Sequence, residues 1–113
     1  MSEYLFAYGT LRSGFGLVKV GTGSIQGTMY DLGEYPGAVP GEGEIIGDLF
    51  RSPRTFADLD EYEGEEFDRK TVRVTTEAGV VEAWIYWYTG DVSGRSPIED
   101  KDYLNYLKSI KPK

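Results

Sequence analysis

Glu3-Tyr4-Leu5-Phe6-Ala7-Tyr8-Gly9-Thr10-Leu11 is the stretch on which the reading of this chain turns. Side chains alternate across a β-strand, so Tyr4, Phe6 and Tyr8 share one face while Leu5 and Ala7 share the other. Glu3 to Tyr8 therefore reads as a first strand. It ends at an aromatic residue and turns through glycine and a small hydroxyl residue. Glycine lets backbone approach a ligand without an intervening Cβ, and successive N–H groups in such a turn form a nest for an anion or oxyanion. An ordinary strand-end turn accounts for the same residues, and local chemistry leaves both readings standing.

Working outward, 15 glycines punctuate short β-prone runs, the texture of a compact sheet or barrel with tight turns. Ser13 to Gly23 reads as a loop, Ser24 to Leu32 as a second strand, and Gly33 to Gly43 as a loop or sharp corner around Tyr35-Pro36-Gly37. Glu44 to Arg51 reads as a third strand with Ile45, Gly47 and Leu49 inward. Ser52-Pro53 then sets up a helix, with Ser52 as N-cap and Pro53 at the first helical position. Phe56, Leu59, Asp60 and Glu63 follow at helical spacing, and Gly64 is placed to stop it. Lys70 to Glu77 and Val80 to Tyr88 form a hairpin about Ala78-Gly79. Tyr103, Leu104, Leu107 and Ile110 predict a short C-terminal helix over 100–110. The result is an α+β chain, mostly strand with two short helices. The glycine runs lack both dinucleotide spacing and a Gly-Lys-Ser/Thr sequel, so they read as turns and not as phosphate loops.

Composition restricts the chemistry more than it directs it. With 113 residues, one domain spanning 1–113 is expected. The chain has no cysteine and no histidine, which removes thiol nucleophiles, histidine-based triads and imidazole metal sites. Acid–base work must then fall to carboxylates, tyrosine, lysine, backbone or water. A net charge of −7 disfavours phosphate backbones, so nucleic acid is not an expected partner. Lys108, Lys111 and Lys113 suit a helix C-terminus. No run is long and apolar enough to span a membrane, the N-terminus has no leader pattern, and a cytoplasmic location is expected. The oligomeric state is left open.

Leu59-Asp60-Glu61-Tyr62-Glu63-Gly64 puts three acids near a helix C-terminus, where negative charge opposes the helix dipole. Asp60 and Glu63 lie on one face. A carboxylate near like charge, or partly desolvated, has its pKa pushed upward toward the range of a useful base. A solvated acidic face is the alternative.

Taken in order over about residues 4 to 90, these pieces resemble the γ-glutamyl cyclotransferase family, in the broad sense that includes the γ-glutamylamine cyclotransferases. The pieces are Tyr8-Gly9-Thr10-Leu11; Gly27-Thr28-Met29-Tyr30-Asp31-Leu32-Gly33 with Tyr35-Pro36-Gly37; Gly47-Asp48-Leu49-Phe50; Leu59 to Gly64 with Phe67-Asp68-Arg69; and Ala83-Trp84-Ile85-Tyr86. The resemblance implies an α+β fold with a small, mixed, partly closed β-barrel. It also implies cofactor-independent cleavage of a small γ-glutamyl amide: the substrate's own α-amine attacks its γ-carbonyl, giving 5-oxoproline and a free amine. The family's catalytic glutamate corresponds to Glu63, and its substrate-cradling turn to Tyr8, Gly9, Thr10 and Leu11. One departure is the stretch Arg12 to Gly23, short and mostly small residues where many relatives carry a longer, partly helical segment.

Further site candidates each have a structural alternative. Arg69 suits a fork on the substrate α-carboxylate or an ion pair with Asp60 or Glu63, and the ion pair is preferred. Tyr35 walls the pocket or packs a corner. Tyr86, with Tyr88 on the same face, lines the barrel or fills the core, and Tyr103 lids the pocket or makes an ordinary helix contact. Two other functions fit the same residues: a non-catalytic module binding a small carboxylate, and a different acid–base reaction in the same pocket.

Overall fold

The computed structural model describes residues 4–9, 18–33, 35–52, 56–99 and 101–110, with the side chains at 58, 62, 63, 104, 109 and 110 outside that description. The elements in chain order are β1 (Tyr4–Ala7), β2 (Lys19–Asp31), β3 (Pro36–Arg51), α1 (Ala57–Glu63), β4 (Phe67–Thr76), β5 (Gly79–Tyr88), β6 (Ser96–Ile98) and α2 (Tyr103–Ile110). Among the described residues, five strands follow the order β3-β1-β5-β4-β2, and β2 pairs again with β3, so the sheet closes into a barrel. β1 runs parallel to β5 and antiparallel to β3, which makes the barrel mixed. β6 adds to β2 outside the ring.

The alternation in the first strand is realised on two buried faces. Phe6 and Tyr8 join an interior cluster with Ile25, Met29, Ile45, Leu49, Val74 and Ile85. Leu5 and Ala7 join an outer cluster with Phe50, Leu59 and Tyr86, where α1 covers the barrel wall. Ile45, Gly47 and Leu49 are buried as the pattern required. The β4–β5 hairpin pairs Phe67 with Tyr88 through to Thr76 with Gly79. Its turn uses Gly79 at φ 123°, a conformation that glycine adopts at low cost.

Several boundaries differ from the sequence reading, each for a physical reason. Lys19 to Gly23 belong to β2, since the antiparallel ladder with β3 reaches from Lys19↔Phe50 through Gly23↔Gly47. Gly33 to Gly43 is no continuous loop. β3 begins at Pro36, and the ladder steps from Thr28↔Val39 to Gln26↔Glu44, leaving Pro40 to Gly43 as an outlooped bulge that suits a residue without an N–H. α1 starts at Ala57 behind Phe56, which makes no side-chain cap. Ser52 is thus not the N-cap, and Pro53 lies outside the described residues. Packing supplies what the cap does not: the Phe56 ring sits 5.7 Å from Trp84, edge-on. Gly64 stops the helix as expected, at φ 83° with its N–H on the Asp60 carbonyl. α2 begins at Tyr103 and not at 100, and β6 was not foreseen. No helix among the described residues is long and apolar enough to cross a membrane.

The seam between β2 and β4 is narrow, with Ser24↔Thr75 as its paired register. The approach depends on Gly23, where a Cβ would lie 2.5 Å from Val74 Cγ1 and 2.9 Å from the Thr75 carbonyl oxygen. Val74 is fully buried, so neither atom has room to yield. Gly23→Ala is expected to cost about 1–3 kcal/mol, as overpacking does, and to lower the melting temperature by several degrees. Gly21→Ala, with nothing within 4 Å of the new Cβ, is the control and should be neutral or slightly stabilising. Equal melting temperatures for the two variants would contradict closure through Gly23.

Candidate active site

Parallel pairing of β1 with β5 brings the C-terminal ends of both strands to one rim of the barrel. Tyr8, just past β1, is buried, and its hydroxyl donates to the Tyr86 carbonyl at 2.7 Å and accepts from the Ala38 N–H at 3.3 Å. One phenol thus fastens β1, β3 and β5 at the root of the turn. Gly9 follows against the β3 corner, where a Cβ would lie 2.6 Å from Pro36 Cγ. Only glycine fits there, and its fit seats Tyr8-Gly9 beside Tyr35-Pro36. Thr10 and Leu11 lie outside the described residues.

α1 delivers its C-terminus to the same rim. Glu63 is its last residue, with a side chain outside the described set. After Gly64 the chain turns into β4, and the Glu66 carbonyl accepts from the Thr89 N–H at 2.7 Å, directly beyond the end of β5. Tyr35, half-buried, donates its hydroxyl to Glu66 Oε1 at 3.3 Å. Its ring lies 5.9 Å from Phe67, itself 5.4 Å from Tyr88. Tyr35 therefore both packs the corner and bridges it to the segment that follows Glu63. Glu66 was not singled out from sequence, since an acid in a run of acids carries no distinguishing pattern.

Behind the helix end lies a charged cluster. Asp60 Oδ1 accepts from Arg69 Nε at 3.0 Å and from the Tyr86 hydroxyl at 2.6 Å, while Oδ2 accepts from the second Arg69 nitrogen at 3.3 Å. The guanidinium also sits over Phe56 at 4.1 Å and Trp84 at 4.9 Å from the ring centroids. Arg69 has the ion-pair partner that the sequence reading preferred. For Asp60 the expected upward push is reversed: hydrogen bonding from Arg69 holds its carboxyl below the usual range, against a smaller opposing effect of burial, with the Tyr86 hydroxyl adding to the lowering. Tyr86 is buried, but on the outer wall beneath α1 and not in the barrel lining. Counting back along the hairpin from its turn places Arg69 opposite Tyr86, the one sequence feature that could have found this cluster.

Magnitudes separate the tasks of neighbouring residues. Leu59, 2 % exposed in the outer cluster, contributes about 1.5–3 kcal/mol by burial and holds α1 to the wall. The Asp60–Arg69 pair, with side chains 45 % and 29 % exposed, is worth at most about 1 kcal/mol after solvent screening.

Tyr103 lies in the interior cluster, 4 % exposed and stacked on Tyr106 at 6.2 Å, so its ring is a core contact of α2. Its hydroxyl is held above the usual tyrosine range by burial and by the nearby Asp31 carboxylate. A separate surface cleft of about 510 Å³ opens among β2, β3 and β4, lined by Glu42, Glu44, Arg73 and Thr75 among others. None of the residues singled out as site candidates lines it.

The lowered Asp60 pKa fixes a pH dependence. A carboxyl depressed in the folded state contributes stability that is present above the ordinary Asp value of about 3.9 and is lost as pH falls through the folded value. The melting-temperature gap between wild type and Asp60→Asn should therefore be constant from pH 7 to about 5 and close as pH falls below about 4. A gap that widens on acidification would contradict the assignment.

The profile of the family described as gamma-glutamyl cyclotransferase, AIG2-like, matches residues 5–105. The gamma-glutamylcyclotransferase family protein YtfP of Escherichia coli K12 is 37% identical over 112 residues, covering 89% of this chain and 96% of that one. The solution structure of Escherichia coli YtfP superposes with a TM-score of 0.70 at 35% identity, covering 91% of this chain and 97% of that one. The fold also recurs inside a larger protein: Kluyveromyces lactis allophanate hydrolase matches with a TM-score of 0.74 at 16% identity, over 98% of this chain but 22% of that one. With the match spanning both rim segments and every strand of the barrel, the chain belongs to the AIG2-like gamma-glutamyl cyclotransferase family.

Proposed function

We propose that this protein cleaves a γ-glutamyl amide by internal cyclisation, with Glu63 as general acid and base and the Tyr8-Gly9-Thr10-Leu11 turn as the substrate cradle. The observation that supports this reading is that the Tyr8-Gly9 end of β1 and the C-terminal end of α1 both lie at the C-terminal end of β5, Tyr8 on the Tyr86 carbonyl and Asp60 on the Tyr86 hydroxyl, in a chain of this family.

The nucleophile is already part of the substrate, so the protein's first task is to hold it curled with the α-amine against the γ-carbonyl. Glu63 takes a proton from the α-ammonium. The amine nitrogen then bonds to the carbonyl carbon, and the resulting oxyanion takes hydrogen bonds from backbone N–H groups of the Gly9–Leu11 turn. On collapse the bond to the leaving nitrogen breaks and Glu63 returns its proton to that nitrogen; the attacking nitrogen, which carries two protons in the tetrahedral intermediate, gives up one through Glu63 to the departing amine, leaving the neutral lactam and an ammonium product. The products are 5-oxoproline and a free amine. No redox change occurs and no group leaves except the amine, so the reaction needs no cofactor. Acid–base assistance of this kind is worth about 10²–10⁴ in rate.

Glu63→Gln keeps the shape of the side chain and removes its basicity. It is expected to fold as wild type and to lower 5-oxoproline release from responsive γ-glutamyl amides by about 10²–10⁴ in kcat/KM. Wild-type rates in this variant would remove Glu63 from the chemistry. A protein stabilised against heat by 5-oxoproline, yet turning over no member of a broad γ-glutamyl panel, would be a binding module.

A further inference from the structure

We propose that Asp60, Arg69 and Tyr86 are positioning residues for the reaction: a clamp that fixes the last turn of α1 and, through it, the placement of Glu63. The inference rests on the reading of Glu63 as the acid–base group.

Asp60 holds this turn from both sides. Its side chain takes three hydrogen bonds from the β4–β5 hairpin, two from the Arg69 fork and one from Tyr86. Its main-chain carbonyl accepts the Gly64 N–H at 3.0 Å, closing the turn that contains Glu63. Among the described side chains of α1, Leu59 gives the turn an apolar contact and this clamp gives it a directional one. The turn carries acids at positions 60, 61 and 63 and no basic residue, against the helix dipole, and α1 has seven residues, too few for a stable helix by itself. Leu59 fixes how closely the helix sits on the wall, but an apolar contact is non-directional. A bidentate guanidinium–carboxylate pair is directional, and the Arg69 plane is itself steadied by Phe56 and Trp84. Tyr86 and Arg69 face each other across the hairpin, so the fork and the phenol are aimed by the ladder. General acid–base catalysis depends on such placement, since a base displaced by about 1 Å can lose on the order of 10² in rate.

Arg69 as a fork on the substrate carboxylate is the competing role, and the two differ in kinetics. Asp60→Asn weakens the clamp while leaving the Arg69 charge in place. The clamp predicts that it lowers kcat about 10- to 100-fold on γ-glutamyl amides with KM changed less than threefold, and Tyr86→Phe should lower kcat by a smaller factor in the same way. The double variant Asp60→Asn/Glu63→Gln should be no slower than Glu63→Gln alone, because Asp60 acts through Glu63. A rise in KM with kcat unchanged, or losses that multiply in the double variant, would overturn the clamp in favour of direct substrate contact. Hydrogen exchange supplies a readout that does not need turnover. In Asp60→Asn the Gly64 amide should exchange at least about tenfold faster while the Val74 and Ile85 amides stay protected. An unchanged Gly64 amide refutes the clamp whatever the activity, and equal acceleration at all three amides reduces Asp60 to a general stabiliser. Wild-type turnover in Glu63→Gln instead refutes the reading on which the inference rests.

Discussion

Everything at the rim depends on a four-residue strand that is paired on both edges and buried on both faces. β1 lies between β3 and β5 and is the parallel element that turns a set of hairpins into a mixed barrel. Its alternate side chains go to two different cores, Phe6 inward and Leu5 and Ala7 outward under α1. Such a strand cannot slip by one residue without exchanging the two sets. Register in β1 therefore determines where Tyr8 and Gly9 emerge, and Tyr8 locks it by bonding the backbones of β3 and β5.

The outer face of this strand connects fold to chemistry. Leu59 is seated against it, which puts α1 on the wall with its C-terminus toward the end of β5. The helix is short, uncapped by any side chain at its start and acidic at its end. Its own propensities do not hold it, so its position comes from what it touches: Leu59 for depth, Phe56 against Trp84 for entry, and Asp60 against Arg69 and Tyr86 for orientation. On the proposed reading of Glu63, a marginal helix placed by tertiary contacts serves to locate one carboxylate.

Much of this was legible in the residues. The alternation of Tyr4 to Tyr8 gave both faces of β1 correctly, Gly64 marked the helix end, and the β4–β5 hairpin followed from its turn. Two of the strand-boundary errors share a cause. Lys19 to Gly23 and Pro36 to Gly43 are rich in glycine or proline and lack the apolar period that identifies a strand, and ladder pairing makes them β: Lys19 to Gly23 with Gly47 to Phe50, and Pro36 to Val39 with Thr28 to Asp31. Tyr86 shows a different limit. β5 is buried on both walls, so alternation separates its faces without saying which one is inside. Asp60 shows a third: its pKa is set by residues distant in sequence, Arg69 and Tyr86, and local acidity pointed the wrong way. The family resemblance, carried by short pieces in order, agreed with the match over residues 5–105 because those pieces are the rim segments and the strands that aim them.

The central claim is that one small γ-glutamyl group binds between the Tyr8-Gly9 turn and the end of α1. A crystal structure with 5-oxoproline bound tests it most directly. The lactam nitrogen is expected within hydrogen-bond reach, about 2.6–3.2 Å, of a Glu63 carboxylate oxygen, with the ring carbonyl facing the N–H groups of the Gly9–Leu11 turn. A lactam seated instead in the cleft beside Glu42, Glu44 and Arg73, or a Glu63 carboxylate directed away from the bound ring, would contradict it.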